Sequence, residues 1–340
     1  MANFFDDYNE QPIVQQEETK ETNIPETENE TESELKPEMN YPEGKEDVGE
    51  YNTQGIANSI EETEQSQYTT FNNPNDVEVT ISDKKTPIVV LFGPPACGKT
   101  MTLVRLSRYL KNCLSGYQIK PVRSFRPDYD RNYKEMCDDF SQKLSASVAA
   151  EANSRMNFML VSVSRNAGEP ICQILEGPGE LYFDPKKPNT RADATVYFNK
   201  ITSSPNRKVY VIILEPNWRN EQDRRNYVER IRQLKKNMSP RDRIILLGNK
   251  VDKADEFIKS SGVVNVRGFI NHMSDQYAGL FGIFKETRPI ISFFKPYDCD
   301  FVSFKSGTFC EDGSKNMRFT EDSDKYPKNL WKTILKRVGR

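Results

Sequence analysis

The chain of 340 residues is long enough for one large domain or two small ones, and its hydrophobic content of 36% is low for a wholly globular protein. Its net charge of −2 hides two opposite parts, because residues 1–80 hold 21 acidic and 3 basic residues while the rest holds 29 acidic and 45 basic residues. A zinc site is not expected, because the six cysteines are scattered without a CxxC pair and the chain has a single histidine. A signal peptide and a transmembrane segment are not expected either, because no long apolar run is present. We therefore expect a cytoplasmic protein with reduced thiols.

Residues 1–80 form an acidic arm that we predict to be disordered. Its stretch EETKETNIPETENETESELKPE has no apolar period and cannot bury enough surface to offset the entropy lost on ordering. Such a tail is typical of a solvated, solubilising segment. Two alternatives are that the arm folds back over the basic body, or that it presents apolar anchors such as Phe4-Phe5 to a partner.

Residues 81–340 predict one α/β domain, which begins with a buried strand and a helix. TPIVVLF (86–92) is a short apolar run, and KTMTLVRLSRYLKNCL after it repeats leucines at helical spacing. YQIKPVRSF (117–125) predicts a further strand, and YDRNYKEMCDDFSQKL places Tyr133, Cys137, Phe140 and Leu144 on one helical face. The runs MNFMLVSVS (156–164) and PICQILE (170–176) are separated by a short turn and predict an antiparallel hairpin.

The second half of the body continues the alternation of strands and helices. VYVIIL (209–214) and RIILLGN (243–249) predict buried strands, joined by a helix with Tyr227, Ile231 and Leu234 on one face. GFINHMSDQYAGLF predicts a helix, PIISFF and CDFVSF predict late strands, and YPKNLWKTILKRV predicts a closing amphipathic helix. This alternation indicates a mostly parallel sheet with helices on both faces.

The loop between the first strand and its helix carries the pattern Gly-x4-Gly-Lys-Thr. We expect it to bind phosphate, because glycines let backbone N–H groups turn inward and the following helix adds its positive end. Lys99 would then reach the β- and γ-phosphates, and the Thr100 hydroxyl would ligate Mg²⁺. The expected nucleotide-binding residues of this loop are Gly93, Pro94, Pro95, Ala96, Cys97, Gly98, Lys99 and Thr100.

The segment GNKVD, which directly follows a predicted strand, selects the base. It places Asn249, Lys250 and Asp252 at the carboxyl end of that strand, where open α/β sheets bind ligands. An aspartate can accept two hydrogen bonds from a guanine edge, and adenine cannot supply them. We therefore predict GTP and GDP as the ligands.

The segment LEGPGE, Leu175 to Glu180, resembles the Asp-x-x-Gly motif of the Ras-like, translation-factor-related P-loop GTPases. The order of phosphate loop, hairpin, this motif and Asn-Lys-x-Asp is similar to that family over residues 85–340. The resemblance implies a three-layer P-loop NTPase fold with a mostly parallel sheet and one antiparallel hairpin edge. The chain departs from a minimal member of that family by an inserted helical segment around residues 117–155. The resemblance also implies that Gly179 donates to the γ-phosphate, that Glu176 stands near a Mg²⁺-bound water in place of aspartate, and that Glu180 accepts from the attacking water or repels it.

The chain departs from the family at the first switch and at the guanine loop. No threonine lies between Thr102 and Thr190, so Ser147 or Ser154 would have to replace the switch threonine. The segment SFKSG (303–307) is the best candidate for the Ser-Ala guanine loop.

Two further features of the body each leave two interpretations open. Arg123, Arg126 and Arg131 are either a solvated basic face or a source of an arginine that stabilises charge on the γ-phosphate. Cys97 is either a small loop residue or a thiol whose pKa is lowered at the start of a helix.

The predicted function is a switch protein that binds Mg²⁺-GTP and hydrolyses it slowly to GDP, with Lys99, Gly179 and Glu180 as catalytic residues and Thr100 and Glu176 at the metal. One alternative is a GTP-binding scaffold that does not hydrolyse GTP, and another is an ATPase or nucleotide kinase. A protein effector or activator would be the further partner. Nucleic acid is not expected, since the basic helix has no interleaved aromatic residues.

Overall fold

A seven-stranded, mostly parallel sheet forms the centre of the computed structural model, which describes residues 77–145, 159–166, 168–177, 196–218, 220–251, 257–311 and 317–339. Its strands in chain order are β1 (Ile88–Phe92), β2 (Tyr117–Pro121), β3 (Met159–Arg165), β4 (Pro170–Glu176), β5 (Lys208–Leu214), β6 (Arg243–Gly248) and β7 (Asp300–Ser303). Across the sheet their order is β2-β3-β4-β1-β5-β6-β7. A separate hairpin pairs β8 (Gly307–Glu311) with β9 (Met317–Glu321).

The direction of the strands confirms the predicted sheet. β1 lies parallel to both β4 and β5, and β6 lies parallel to β5 and β7. β3 pairs antiparallel with β4, as the predicted hairpin requires, and also with β2, which adds a strand outside the hairpin. Among the described strands of this sheet, β3 alone therefore runs against the rest.

Helices cover both faces of the sheet, so the three-layer α/β fold is confirmed. They are α1 (Lys99–Cys113), α2 (Arg131–Ser145), α3 (Val196–Thr202), α4 (Glu221–Asn237), α5 (Val266–Gln276), α6 (Leu280–Ile283), α7 (Pro289–Phe294) and α8 (Lys325–Val338). α1 contacts α2 and α8, whereas α6 contacts α4 and α5. Every residue of β1 and β5 is buried between these layers, which explains their uninterrupted apolar runs.

The apolar faces predicted for the helices are buried. Tyr133, Cys137, Phe140 and Leu144 of α2 belong to the core, as do Tyr227, Ile231 and Leu234 of α4. The Asn220 side chain caps α4 by accepting a hydrogen bond from the Asp223 amide at 3.1 Å. Within the described residues, no helix combines the length and the apolar character needed to cross a bilayer.

Two predicted strand segments take another form. PIISFF was expected to be a strand but is helix α7, in which no residue is buried. Pro289 stands at the start of this helix, where its fixed φ favours helical geometry, and β7 already occupies the place beside β6. The strand expected over 117–125 ends at Pro121 and is followed by a 3₁₀ turn, Arg123–Phe125.

A buried arginine on α1 ties the helix after the phosphate loop to the end of the chain. Arg105, whose side chain is 2% exposed, pairs with Glu321 at 3.0 Å and with Asp324 at 2.6 Å. It also donates to the Asp322 carbonyl at 2.7 Å, and Arg108 pairs with Glu321 at 3.0 Å. One carboxylate, Glu321, therefore serves two buried guanidinium groups.

We expect Glu321→Ala to lower the free energy of unfolding by about 2 kcal/mol, because it leaves buried guanidinium charge less well compensated. The control is Glu221→Ala, which breaks an exposed Glu–Arg pair with Arg225 and should cost less than about 1 kcal/mol. Urea denaturation of both variants measures the difference. Equal losses would show that burial of Arg105 does not strengthen this network.

Candidate functional site

The site lies at the carboxyl ends of the central strands, where β1 leads into the loop 93–98 and then into α1. Two positions in this loop have left-handed backbones, Ala96 with φ of 58° and Gly98 with φ of 92°. A Cβ on Gly98 would lie 2.4 Å from Asn249 Nδ2, and one on Gly93 would lie 2.5 Å from Cys97 Sγ. Both glycines of the motif are therefore favoured by the local geometry of a tight loop.

Lys99 closes over this loop. Its side chain is buried, and its Nζ donates to the Gly93 carbonyl at 3.1 Å and to the Pro94 carbonyl at 2.8 Å. These bonds hold the ammonium group against the loop at the start of α1. A positive charge and a helix N-terminus therefore lie together at the same place.

Thr100 and Glu176 meet beside the loop, although 76 positions separate them in sequence. Glu176 ends β4, which pairs with β1 so that Glu176 lies opposite Leu91. Thr100 Oγ1 donates to Glu176 Oε1 at 2.8 Å, and Glu176 is 1% exposed. The parallel pairing of β4 with β1 thus brings together the two residues that the sequence assigned to a metal.

Asn249 and Lys250 join the end of β6 to the phosphate loop. Asn249 Nδ2 donates to the Cys97 carbonyl at 2.7 Å, and its backbone N–H donates to the Leu214 carbonyl at 2.8 Å. Lys250, at φ of 54°, donates to the Ala96 carbonyl at 3.1 Å. The two motifs that the sequence separates by more than a hundred residues therefore form one structure.

Glu215 is a site residue that the sequence analysis missed. It follows β5, and its Oε2 lies 2.8 Å from Lys250 Nζ. The Tyr277 hydroxyl accepts from its amide and donates to its carbonyl, both at 2.9 Å. The position of Glu215 directly after a buried strand was the available signal, since open α/β sheets tend to bind ligands at the carboxyl ends of their strands.

The segment SFKSG also lies at this edge, beside the Asn249 loop. The Phe304 amide donates to the Gly248 carbonyl at 2.7 Å, and the Ser303 hydroxyl donates to the Gly262 carbonyl at 2.7 Å. β7 therefore brings this segment next to the end of β6, and its assignment as the guanine loop stays a prediction.

The remaining predicted residues are Gly179, Glu180, Asp252, Ser147 and Ser154, which lie outside the described residues. Their assignments stay predictions.

Two of the three arginines considered as charge donors, Arg123 and Arg126, have local structural partners. Arg123 forms an ion pair with Asp138, and Arg126 is buried, pairs with Asp130 at 3.0 Å and stacks 5.3 Å from the centre of the Tyr133 ring. Both follow β2, three strands away from β1. These contacts favour a structural role for the two side chains.

Cys97 does not have the lowered pKa that a helix N-terminus can produce. The thiol is fully buried, and this burial raises its pKa to about 11 even though the Lys99 charge opposes the change. Burial and the direction of this shift favour the interpretation of Cys97 as a small loop residue beside Gly93.

We expect iodoacetamide to alkylate Cys97 much more slowly than the exposed Cys113 near neutral pH, by at least about tenfold. Because its thiolate is a minor species below pH 11, the rate at Cys97 should rise about tenfold per pH unit between about pH 7 and pH 9. Peptide mass spectrometry of timed samples measures each cysteine separately. Alkylation of Cys97 as fast as that of Cys113 at neutral pH would contradict the burial argument.

Comparisons with known proteins find no matching family model and no matching curated protein. Among solved structures, nucleolar GTP-binding protein 1 of Plasmodium falciparum is 14% identical with a TM-score of 0.33, and the match covers 67% of this chain and 80% of that one. Roco2 RocCORdC of Methanosarcina barkeri, bound to GDP, is 13% identical with a TM-score of 0.30, over 77% of this chain and about half, 51%, of that chain. The septin GTPase domain of Chlamydomonas reinhardtii is 11% identical with a TM-score of 0.33, over 75% and 93% of the two chains.

Proposed function

We propose that this chain is a guanine-nucleotide switch that binds GTP with Mg²⁺ and hydrolyses it slowly to GDP. One observation carries the proposal, namely the hydrogen bond from Asn249 Nδ2 to the Cys97 carbonyl at 2.7 Å. It joins the loop expected to read the base to the loop expected to hold the phosphates. If either short motif had arisen by chance, there would be no reason to expect the two segments to contact each other.

The phosphate loop fits a di- or triphosphate. The backbone is left-handed at Ala96 and Gly98, a conformation found in phosphate-binding nests, and a Cβ at Gly93 or Gly98 would collide with its neighbours. Lys99 is held at the same place by two carbonyl groups of the loop. Exchange of these carbonyl contacts for phosphate oxygens would give the ammonium stronger, charge-assisted partners.

The base preference is proposed from the residues that follow β6. Lys250 is held by the Ala96 carbonyl and by Glu215, two positions before Asp252 in the sequence. An aspartate there would accept two hydrogen bonds from guanine and would stay unpaired against adenine. The alternative of an ATPase or nucleotide kinase is therefore disfavoured.

The residues Thr100 and Glu176 fit Mg²⁺. A hydroxyl and a carboxylate supply the hard oxygen ligands that this ion prefers. Thr100 Oγ1 and Glu176 Oε1 lie 2.8 Å apart beside the loop. When bound, Mg²⁺ would neutralise negative charge on the β- and γ-phosphates. Glu176 replaces the usual aspartate of the resembling family, and its longer side chain reaches Thr100 directly.

The hydrolytic step is proposed from the segment that continues β4. Gly179 would donate its N–H to the γ-phosphate, and Glu180 would accept a hydrogen bond from the attacking water. Release of that contact after hydrolysis would free the loop, which is the mechanism of a switch. If Glu180 repels the water instead, the protein is a scaffold that binds GTP without turnover.

The first test measures the affinities of the full chain for GTP, GDP and ATP in the presence of Mg²⁺. We expect GTP to bind at least about 100-fold more tightly than ATP, and Asp252→Asn to shift the preference toward xanthosine triphosphate. Lys99→Ala should weaken triphosphate binding about 100-fold or more, because it removes a charged phosphate partner. Equal affinity for GTP and ATP would overturn the guanine assignment, and full affinity in Lys99→Ala would overturn the phosphate-loop assignment.

The second test makes two measurements. It follows single-turnover release of phosphate from GTP by the wild type, and it compares the Mg²⁺ dependence of nucleotide binding in the wild type and in Glu176→Gln. Loss of the carboxylate charge should raise the Mg²⁺ concentration needed for tight nucleotide binding by about tenfold, while Glu221→Gln on the surface of α4 should leave it unchanged. Slow release of phosphate by the wild type supports the switch. GTP binding with no release would select the scaffold, and an unchanged Mg²⁺ requirement would remove Glu176 from the metal site.

A further inference from the structure

Helix α7 displays an apolar surface on the outside of the protein. The side chains of Ile290, Phe293 and Phe294 are 81%, 84% and 82% exposed, and we call these three residues the apolar tip. The two phenylalanine rings contact each other edge to face at 5.2 Å. Single exposed apolar residues are common, but three large ones on a helix of six residues indicate a surface that has a partner.

The segment that carries the tip is closed at its base. Lys285 and Tyr297 form an antiparallel bridge, the Glu286 amide donates to the Pro296 carbonyl at 2.9 Å, and the Asp298 amide donates to the Phe284 carbonyl at 2.8 Å. Phe284 is buried in the core. The tip is therefore held out from an anchored base.

Basic residues surround this base. A cavity of about 450 Å³ is lined by Arg232, Lys235 and Lys236, together with Gly279, Gly282 and Ile283. Lys235 lies 3.6 Å from Asp298, which belongs to the base of the tip. Arg232 also pairs with Glu229, so the three cations of the lining face two carboxylates, and the cavity beside the apolar tip keeps an excess of positive charge.

A second group of cations lies on the other side of the base. Lys295, Lys336 and Arg337 all converge on Asp300, with Lys295 at 3.9 Å and Lys336 at 3.1 Å. Burial lowers the pKa of Lys295, and the charge of Arg337 lowers it further. We call Arg232, Lys235, Lys236, Lys295 and Lys336 the basic collar.

The apolar tip and the basic collar both lie at the end of the sheet where the parallel strands begin, opposite loop 93–98. α7 and its base lead directly into the first residue of β7, Asp300, and α4 ends shortly before the start of β6. β6 and β7 run parallel to β5, which runs parallel to β1, so their first residues lie at the far end from loop 93–98. A partner bound to the tip would therefore leave the nucleotide site open.

We propose that the apolar tip and the basic collar form a docking surface for a membrane rich in anionic lipids. The tip projects, so it suits insertion into the boundary between headgroups and acyl chains, whereas a stable protein partner needs a broad complementary surface. The collar and its cavity supply the positive charge that anionic headgroups attract. The chain would lie on the bilayer and present its phosphate loop to the solvent.

The test is sedimentation of the full chain with vesicles of phosphatidylcholine alone, and with vesicles that contain about 30% phosphatidylserine. We expect binding to the phosphatidylserine vesicles only, and weaker binding when salt rises from about 0.1 M to about 0.5 M. The double variant Phe293→Ser/Phe294→Ser should lose at least about tenfold in partitioning, and Lys235→Gln/Lys236→Gln should lose a similar amount. All of these side chains are at least partly exposed, so the melting temperature should stay within a few degrees of the wild type, about 4 °C or less.

The matched control variants change residues near the opposite end of the sheet, where the parallel strands finish. Tyr129→Ser removes an aromatic side chain that is 77% exposed, and Arg225→Gln removes an exposed charge at the start of α4; both should bind vesicles like the wild type. Absence of binding to phosphatidylserine vesicles would overturn the proposal, as would undiminished binding of the phenylalanine double variant. A wild type that self-associates without binding vesicles, and becomes monomeric in that double variant, would assign the tip to contact between copies of the chain instead.

Discussion

The hydrogen bond from Asn249 Nδ2 to the Cys97 carbonyl is the contact on which the candidate site depends. It crosses from the end of β6 to the loop after β1 and fixes the loop from outside. The same amide lies so close to Gly98 that any side chain there would collide with it. The left-handed glycine therefore lies directly against a contact between two distant parts of the chain, immediately before α1 and Lys99.

The parallel strands give the sheet two unlike ends, one where the strands begin and one where they finish. At the carboxyl ends of the strands, polar side chains from β4, β5 and β6 gather around the phosphate loop: Glu176, Glu215 and Asn249. At the other end lie the apolar tip and the basic collar. Loops along the chain alternate between the two ends of the strands. The proposed nucleotide site and the proposed docking surface would therefore occupy one domain without competing for space.

Burial changes the chemistry that the sequence suggests for individual side chains. Cys97 stands near a helix N-terminus, which favours the thiolate, yet complete desolvation raises its pKa to about 11. Arg105 and Arg108 are charged residues of a helix, and both are buried against Glu321. Arg126 likewise has its own carboxylate, Asp130. In each case the deciding quantity is exposure to water, which a linear pattern of residues does not contain.

The sequence by itself determined the alternation of strands and helices, the hairpin of β3 and β4, and the tight loop between β1 and α1, because apolar period and glycine position are local properties. It did not determine that PIISFF is an exposed helix, because an apolar run of six residues suits a strand or a helix until the places in the sheet are filled. It also did not reveal Glu215 as the partner of Lys250. That contact, like those of Thr100 with Glu176 and of Asn249 with Cys97, exists only because strand order brings distant segments to the same edge of the sheet.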